Sequence, residues 1–171
     1  TLRPVIIHAQ LIDADQLERA KRLSAMVSFF SAHVYYWGDV HIKNFSLERA
    51  AKISPAATAL EHGVKFTMHQ DAPVIEPDMI ETIWCANSRI TKTGQPLGRQ
   101  ERISVYNAVR AVTVNAAYQY SKENTHGTIS AGKQADFTVL DRNPLQTPAQ
   151  RMRDITVLQV YKDGECVFSK K

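Results

Sequence analysis

Three side chains able to bind a divalent ion stand at corresponding places in the sequence: His8 after "VII", His33 after "VSFFSA" and Asp71 after "VKFTMHQ". Each follows a short apolar run. Two neutral imidazoles and a carboxylate are good ligands for zinc or a similar ion, which lowers the pKa of bound water to about 7 and polarises a carbonyl. The carboxylate can also take the proton from that water. Each residue has a plainer use as well: a histidine at a strand end often holds a structural hydrogen bond, and an aspartate after a strand is a common cap or turn former. Corresponding positions in successive units favour the metal-binding use, though spacing alone does not decide it.

Other candidates surround these three. His69 has a period-2 relation to Asp71 and so lies on the same side of a regular strand, where it can support the ligands from behind. The stretch "HVYYWGDVH" reads as an aromatic and polar loop in which Trp37, Asp39 and His41 form a pocket wall for a substrate. Arg89, after a helix near the same end, can hold an anionic group or close a structural ion pair.

These residues need elements that bring them together. "VIIHA" reads as a buried strand, and "DADQLERAKRLSA" (13–25) as a helix capped by Asp13. A second apolar run, 26–33, leads into the aromatic loop. Ser54 followed by Pro55 is a helix start with Gly63 as its C-terminal cap, and a third run covers 64–71. Further helices are expected over 77–88 and over 104–120, the latter capped by Ser104. Alternation of this kind predicts parallel strands covered by helices, whose carboxyl ends face the ligand crevice. After residue 125 the pattern turns to short β-rich runs, with the Asp163-Gly164 pair as a hairpin signal. The reading is therefore α/β over 1–125 and a small β region over 126–171.

Composition narrows the partners. The 171 residues are 44% hydrophobic and 22% charged, ordinary for a globular core. The net charge of +4 comes from 21 basic and 17 acidic residues in no long run, which argues against a nucleic-acid or membrane surface. No apolar stretch approaches the roughly 20 residues that cross a bilayer. Cys85 and Cys166 lie far apart, and the pair reads as two reduced thiols in a cytoplasmic protein.

The stretches "IIHAQLIDADQ", "SFFSAHVYYWGDVH", "FTMHQDAPV" and above all "GTISAGKQADFTVLDRNPL" resemble the metal-dependent amidohydrolase superfamily, in the branch that holds YtcJ-like proteins and N-substituted formamide deformylases. The resemblance covers nearly the whole chain. It implies the C-terminal half of a (β/α)8 TIM barrel, strands five to eight, followed by part of a small β-sandwich domain. It matches His8 and His33 to the metal-binding histidines of the fifth and sixth strands, and Asp71 to the eighth-strand aspartate that binds metal and acts as general base and acid. Gln70 stands where a serine is common. The family's first-strand His-x-His pair is absent from the 171 residues, which implies that the chain corresponds to the C-terminal portion of a longer enzyme.

The expected activity is hydrolysis of a C–N bond other than a peptide bond, in an amide, formamide or cyclic amide, with zinc first among the candidate ions and one or two ions in the complete site. Iron, manganese and cobalt suit the same ligands. The chain alone is expected to be inactive. Residues 1–125 supply only about four of the eight strands a barrel needs, so open edges imply a homo-oligomer or a missing N-terminal segment. A non-catalytic α/β association module, or a metal-dependent lactone or phosphoester hydrolase, are the alternative readings.

Overall fold

The computed structural model describes residues 2–171. Val5, Ile6 and Ile7 are β-branched and suit an extended chain, and they form strand β1 (Val5–His8). Helix α1 (Ala14–Arg22) follows under a reciprocal cap: the Asp13 carboxylate accepts from the Gln16 amide, and the Gln16 side chain accepts from the Asp13 amide. Strand β2 (Met26–Phe29) is buried throughout. Next come α2 (His33–Phe45), the single turn α3 (Leu47–Ala50) and α4 (Ala56–Glu61), then β3 (Phe66–Met68). Asp78 caps α5 (Met79–Ser88). Ser104 caps α6 (Val105–Val112), and α7 (Val114–Gln119) continues after a break at Thr113. The expected single helix over 104–120 is thus two.

β1, β2 and β3 form one parallel sheet in that order, so the described residues up to 125 hold three strands where about four are expected. The register sets His8 beside Phe29, and Phe29 beside Met68. The ladder runs one step further, the His69 amide donating to the Phe29 carbonyl at 3.0 Å. His69 therefore leaves the sheet one residue beyond the level of His8.

Leu17, Val27, Phe29, Phe66, Met68, Ile83 and Ala108 make the main core between sheet and helices, each large side chain contributing about 1.5–3 kcal/mol on burial. The free edge of β3 is covered by α7: Asn115 Nδ2 donates to the Phe66 carbonyl at 2.8 Å, and Thr67 Oγ1 to Gln119 Oε1 at 2.6 Å. No strand among the described residues pairs with the outer edge of β1, where Ile6 and Ile7 are 42% and 54% exposed.

The remaining strands, β4 (Phe137–Leu140), β5 (Val157–Lys162) and β6 (Glu165–Ser169), form an antiparallel sheet. Asp163 and Gly164 both take positive φ, as the tight turn between β5 and β6 requires. The segment between β4 and β5 folds back onto the first region. Its Met152 and Ile155 pack with Phe30, Ala32, Ile75, Trp84 and Cys85, and Arg153 pairs with Glu81 at 3.0 Å while lying over the Trp84 ring. Both regions therefore share one floor beneath the carboxyl end of the parallel sheet. Cys85 is buried and Cys166 exposed, each a free thiol. No helix of the described residues is long and apolar enough to cross a membrane.

Candidate metal centre

The chain turns sharply at both ligand-bearing strand ends. His8, Ala9 and Asp71 all have positive φ, at 63°, 43° and 55°. Left-handed backbone at residues other than glycine costs of order 1–3 kcal/mol each and persists where surroundings impose it. At Asp71 the surroundings include Gln70, buried just before it. Its side-chain amide donates to the Asp78 carbonyl, and its side-chain oxygen accepts from the Asp78 amide. This pair ties the base of the Asp71 loop to the cap of α5, and gives a use to the residue that departs from the common serine.

The turns bring His8, His69 and Asp71 together, with one donor atom from each lying within 4.8 Å of the others. His8 Nδ1 and His69 Nε2 are 3.2 Å apart, and His69 Nδ1 meets Ser28 Oγ at 2.8 Å. His8 Nε2 and Asp71 Oδ2 are 3.9 Å apart, too far for a hydrogen bond. His33 is not within that group. It is the first residue of α2, four places past β2 rather than at a strand end, and its ring centroid lies 5.8 Å from that of His8. His33 Nδ1 is buried with no hydrogen-bond partner among the described residues.

Burial, reinforced by the neighbouring rings of His41, His8 and His69, pushes the His33 pKa down to about 4. Burial is also the main cause lowering His69 and His41. His33 is therefore uncharged at neutral pH, the form that ligates metals. The uncharged His33 ring with its orphaned buried nitrogen, the rings of His8 and His69, and a carboxylate spaced beyond hydrogen-bonding distance from an imidazole nitrogen form a donor set that fits a divalent ion.

The stretch read as an aromatic loop is the helix α2, a correction that re-sorts the substrate-contact candidates. Its buried residues are Val34 and Gly38, four apart on one face. Trp37, one turn from His33, lies 5.5 Å from that ring between centroids, and His41 lies 6.1 Å from it. His41 also meets the Gln10 amide nitrogen at 2.7 Å. Asp39 points away: Oδ1 accepts from the Thr93 hydroxyl at 2.7 Å and Oδ2 from the Thr93 amide, which holds its carboxyl below the usual range. Arg89 is 2% exposed and donates to the carbonyls of Leu97, Ser54, Ile53 and Ala51, so it braces the fold rather than holding an anion at the crevice.

Three contributors escaped the sequence reading. Phe30 lies against His33, His69 and His8 at centroid distances of 4.4, 5.5 and 6.2 Å and walls the cluster. Ser28 was visible as the one polar residue inside a fully buried strand. The Gln70 clamp had no sequence signal beyond its difference from serine.

The carboxyl end of a parallel α/β sheet thus brings two histidines and an aspartate together in a group that could hold a metal ion. The sequence profile of the amidohydrolase family (Amidohydro_3) matches residues 1–168, and the chain belongs to that family. It is 29% identical over 158 residues to an N-substituted formamide deformylase of Arthrobacter pascens, covering 92% of this chain and 29% of the relative. It is 26% identical over 171 residues to the putative amidohydrolase YtcJ of Bacillus subtilis (strain 168), covering 96% and 32%. The crystal structure of an uncharacterized metal-dependent hydrolase from Pyrococcus furiosus superposes with a TM-score of 0.67 at 30% identity, over 83% of this chain and 29% of that one. The chain thus spans about a third of the length of the curated relatives it matches.

Proposed function

We propose that this chain contributes three of the eight strands of a barrel-type, metal-dependent hydrolase that cleaves C–N bonds other than peptide bonds, in a small amide, formamide or cyclic amide. β1, β2 and β3 are consecutive neighbours in one parallel sheet. If Asp71 follows the eighth strand, His8 and His33 then follow the sixth and seventh rather than the fifth and sixth. The observation that carries the reading is the convergence of His8, His69 and Asp71 within 4.8 Å at the carboxyl end of that sheet. Support comes also from the amide-cleaving relative and from the solved metal-dependent hydrolase.

His8 and Asp71 would hold the ion, with the His33 ring 5.8 Å from that of His8 between centroids. A divalent ion there, zinc first, would polarise the scissile carbonyl and make water nucleophilic near neutral pH. The Asp71 side chain is 42% exposed, open enough to take the proton of the attacking water and deliver it to the departing nitrogen. His33, uncharged, offers a neutral hydrogen-bonding nitrogen and adds no competing positive charge. Phe30 and Trp37 pack together at 5.8 Å between ring centroids and form an aromatic wall beside the histidines.

The test is metal content by plasma mass spectrometry on the chain purified without chelator or histidine tag, beside His8→Ala and Asp71→Asn variants. The full-length protein is then assayed on a panel of N-substituted formamides, acyclic amides and cyclic amides. Near-stoichiometric metal that falls away in both variants, with hydrolysis of at least one panel member, is the expected result. No metal and no hydrolysis by the full-length protein would overturn it.

A further inference from the structure

His69 belongs to the cluster by position, yet its two ring nitrogens are already engaged. Nδ1 meets Ser28 Oγ at 2.8 Å and Nε2 meets His8 Nδ1 at 3.2 Å. Ser28, His69 and His8 therefore form a chain of three, one from each of β2, the end of β3 and β1. A neutral imidazole has one N–H and one bare nitrogen, so the chain runs in one of two directions.

In the first, the Ser28 hydroxyl donates to His69 Nδ1, His69 Nε2–H donates to His8 Nδ1, and His8 keeps its proton on Nε2. In the second, His8 Nδ1–H donates to His69 Nε2, His69 Nδ1–H donates to Ser28 Oγ, and His8 Nε2 is bare. The two have opposite consequences for the atom that faces Asp71.

The Asp71 oxygen decides between them. At 3.9 Å from His8 Nε2 it is beyond hydrogen-bonding distance, so it does not receive a proton from that nitrogen. The same gap suits a bare nitrogen and a carboxylate oxygen that share a cation, since zinc sits about 2.0–2.2 Å from each kind of ligand.

We propose that His69 is a positioning residue: held by Ser28, it accepts the Nδ1–H of His8 and so fixes His8 in the tautomer whose Nε2 is free beside Asp71. The hydrogen-bond chain stands on its own geometry, and only its purpose rests on the metal-centre reading above. Ser28 is 3% exposed, so water does not compete for His69 Nδ1, and Phe30 stacks on the His69 ring at 5.5 Å and limits its rotation.

The experiment reads the tautomer first, without metal. Long-range 15N NMR on the chelator-treated full chain at pH 8 is expected to show His8 protonated at Nδ1 and bare at Nε2. In Ser28→Ala, and more fully in His69→Phe, both His8 tautomers are expected. His69→Gln, whose side-chain oxygen accepts from His8 Nδ1–H, is expected to restore the single form. Circular dichroism confirms that each variant is folded, and Ser28→Ala, which removes one buried oxygen, keeps the test open where His69→Phe does not fold.

Zinc titration follows, with an expected loss of about 10–100-fold in affinity for His69→Phe and recovery in His69→Gln, the range set by removal of groups that orient metal-binding histidines. A His8 proton on Nε2 in the unaltered chain overturns the proposal. So does a zinc-induced shift at His69 Nε2 as large as that at His8 Nε2, which would make His69 a ligand in its own right. Nδ1-protonated His8 in a chain that binds no zinc upholds the hydrogen-bond chain and counts against the metal-centre reading instead.

Discussion

Arg89 holds a guanidinium where almost no water reaches, and burial pulls its pKa down to about 10. Among the described residues no carboxylate is hydrogen-bonded to it. Its donors go to backbone carbonyls at 2.8–3.5 Å in two segments, 51–54 and 97, and so tie the end of α3 to the chain after α5. Gly98 shows how tight that junction is, since a Cβ there would stand 2.0 Å from the Ala51 carbonyl oxygen. Arg89→Ala strands those carbonyls without a donor, each costing about 1–3 kcal/mol where water does not replace it. We predict a loss of about 3–5 kcal/mol, read as a lower urea midpoint in equilibrium unfolding, an amount typical of breaking a buried charged contact. Arg89→Lys is expected to recover only part, because one ammonium cannot span both segments. Sequence spacing could place His69 and Asp71 on one side because their relation is local. The roles of Arg89 and Asp39 are hidden in the sequence because three of the four Arg89 partners lie 35–38 residues away and the Asp39 partner 54.

α2 carries few local signals of a helix. Its tyrosines, tryptophan, glycine and two histidines carry no strong helix propensity, and Ala32 supplies no side-chain cap. Tertiary packing forms it: a Cβ on Gly38 would lie 2.7 Å from Thr91 Cγ2 and 3.1 Å from Leu97 Cδ2, so glycine lets the helix approach the 91–97 loop. Gly38→Ala gains about 1 kcal/mol in helix propensity, but Thr91 and Leu97 are buried and have little room to yield, and overpacking costs about 1–3 kcal/mol. The expected outcome is a net fall in thermal midpoint, where a rise would mean that the contact relaxes freely. By contrast α1, α5 and α6 were legible because Asp13, Asp78 and Ser104 cap them locally. A second tie between elements joins the segment before β1 to the one after α7. Arg3 donates to both Glu123 oxygens, Nη1 to Oε2 at 2.9 Å, and its hydrogen bond draws the Glu123 carboxyl from 4.5 down to about 2. The unfolded chain then takes up this proton before the folded one as pH falls. The pair's contribution is full above about pH 4.5 and drains away between there and about pH 2. Thermal midpoints of the unaltered chain and of Glu123→Gln should differ above pH 5 and converge near pH 2; a gap that persists at pH 2 would assign the effect to something other than the carboxylate.

At the scale of the described residues as a whole, apolar surface lies uncovered in two places away from the histidine cluster. One is the outer edge of β1 with the groove beside it, formed by Ile6, Ala9, Leu11 and Leu23. The other is a cleft of about 1440 Å³ between the antiparallel sheet and α5–α7, lined by Ile80, Val109, Val112, Phe137 and Leu140 among others. The cleft is the larger hollow, but the chemistry sits at the strand ends, where the titratable groups converge. Unpaired strand edges template further pairing, and exposed apolar surface favours association. We therefore predict that the 19.2 kDa chain self-associates at about 100 µM, within the range where exposed apolar surface drives association. Size-exclusion chromatography with light scattering should return a mass above the monomer that falls on dilution. Ile7→Lys, which puts a charge on the open strand, should shift the mass toward the monomer, since lysine on an edge opposes pairing. Because Ile7 is 54% exposed, that substitution leaves the core intact, and an unchanged circular dichroism spectrum would confirm it. A monodisperse monomer at the same concentration would show that these surfaces are tolerated in water, and the case for a covering partner would then fail.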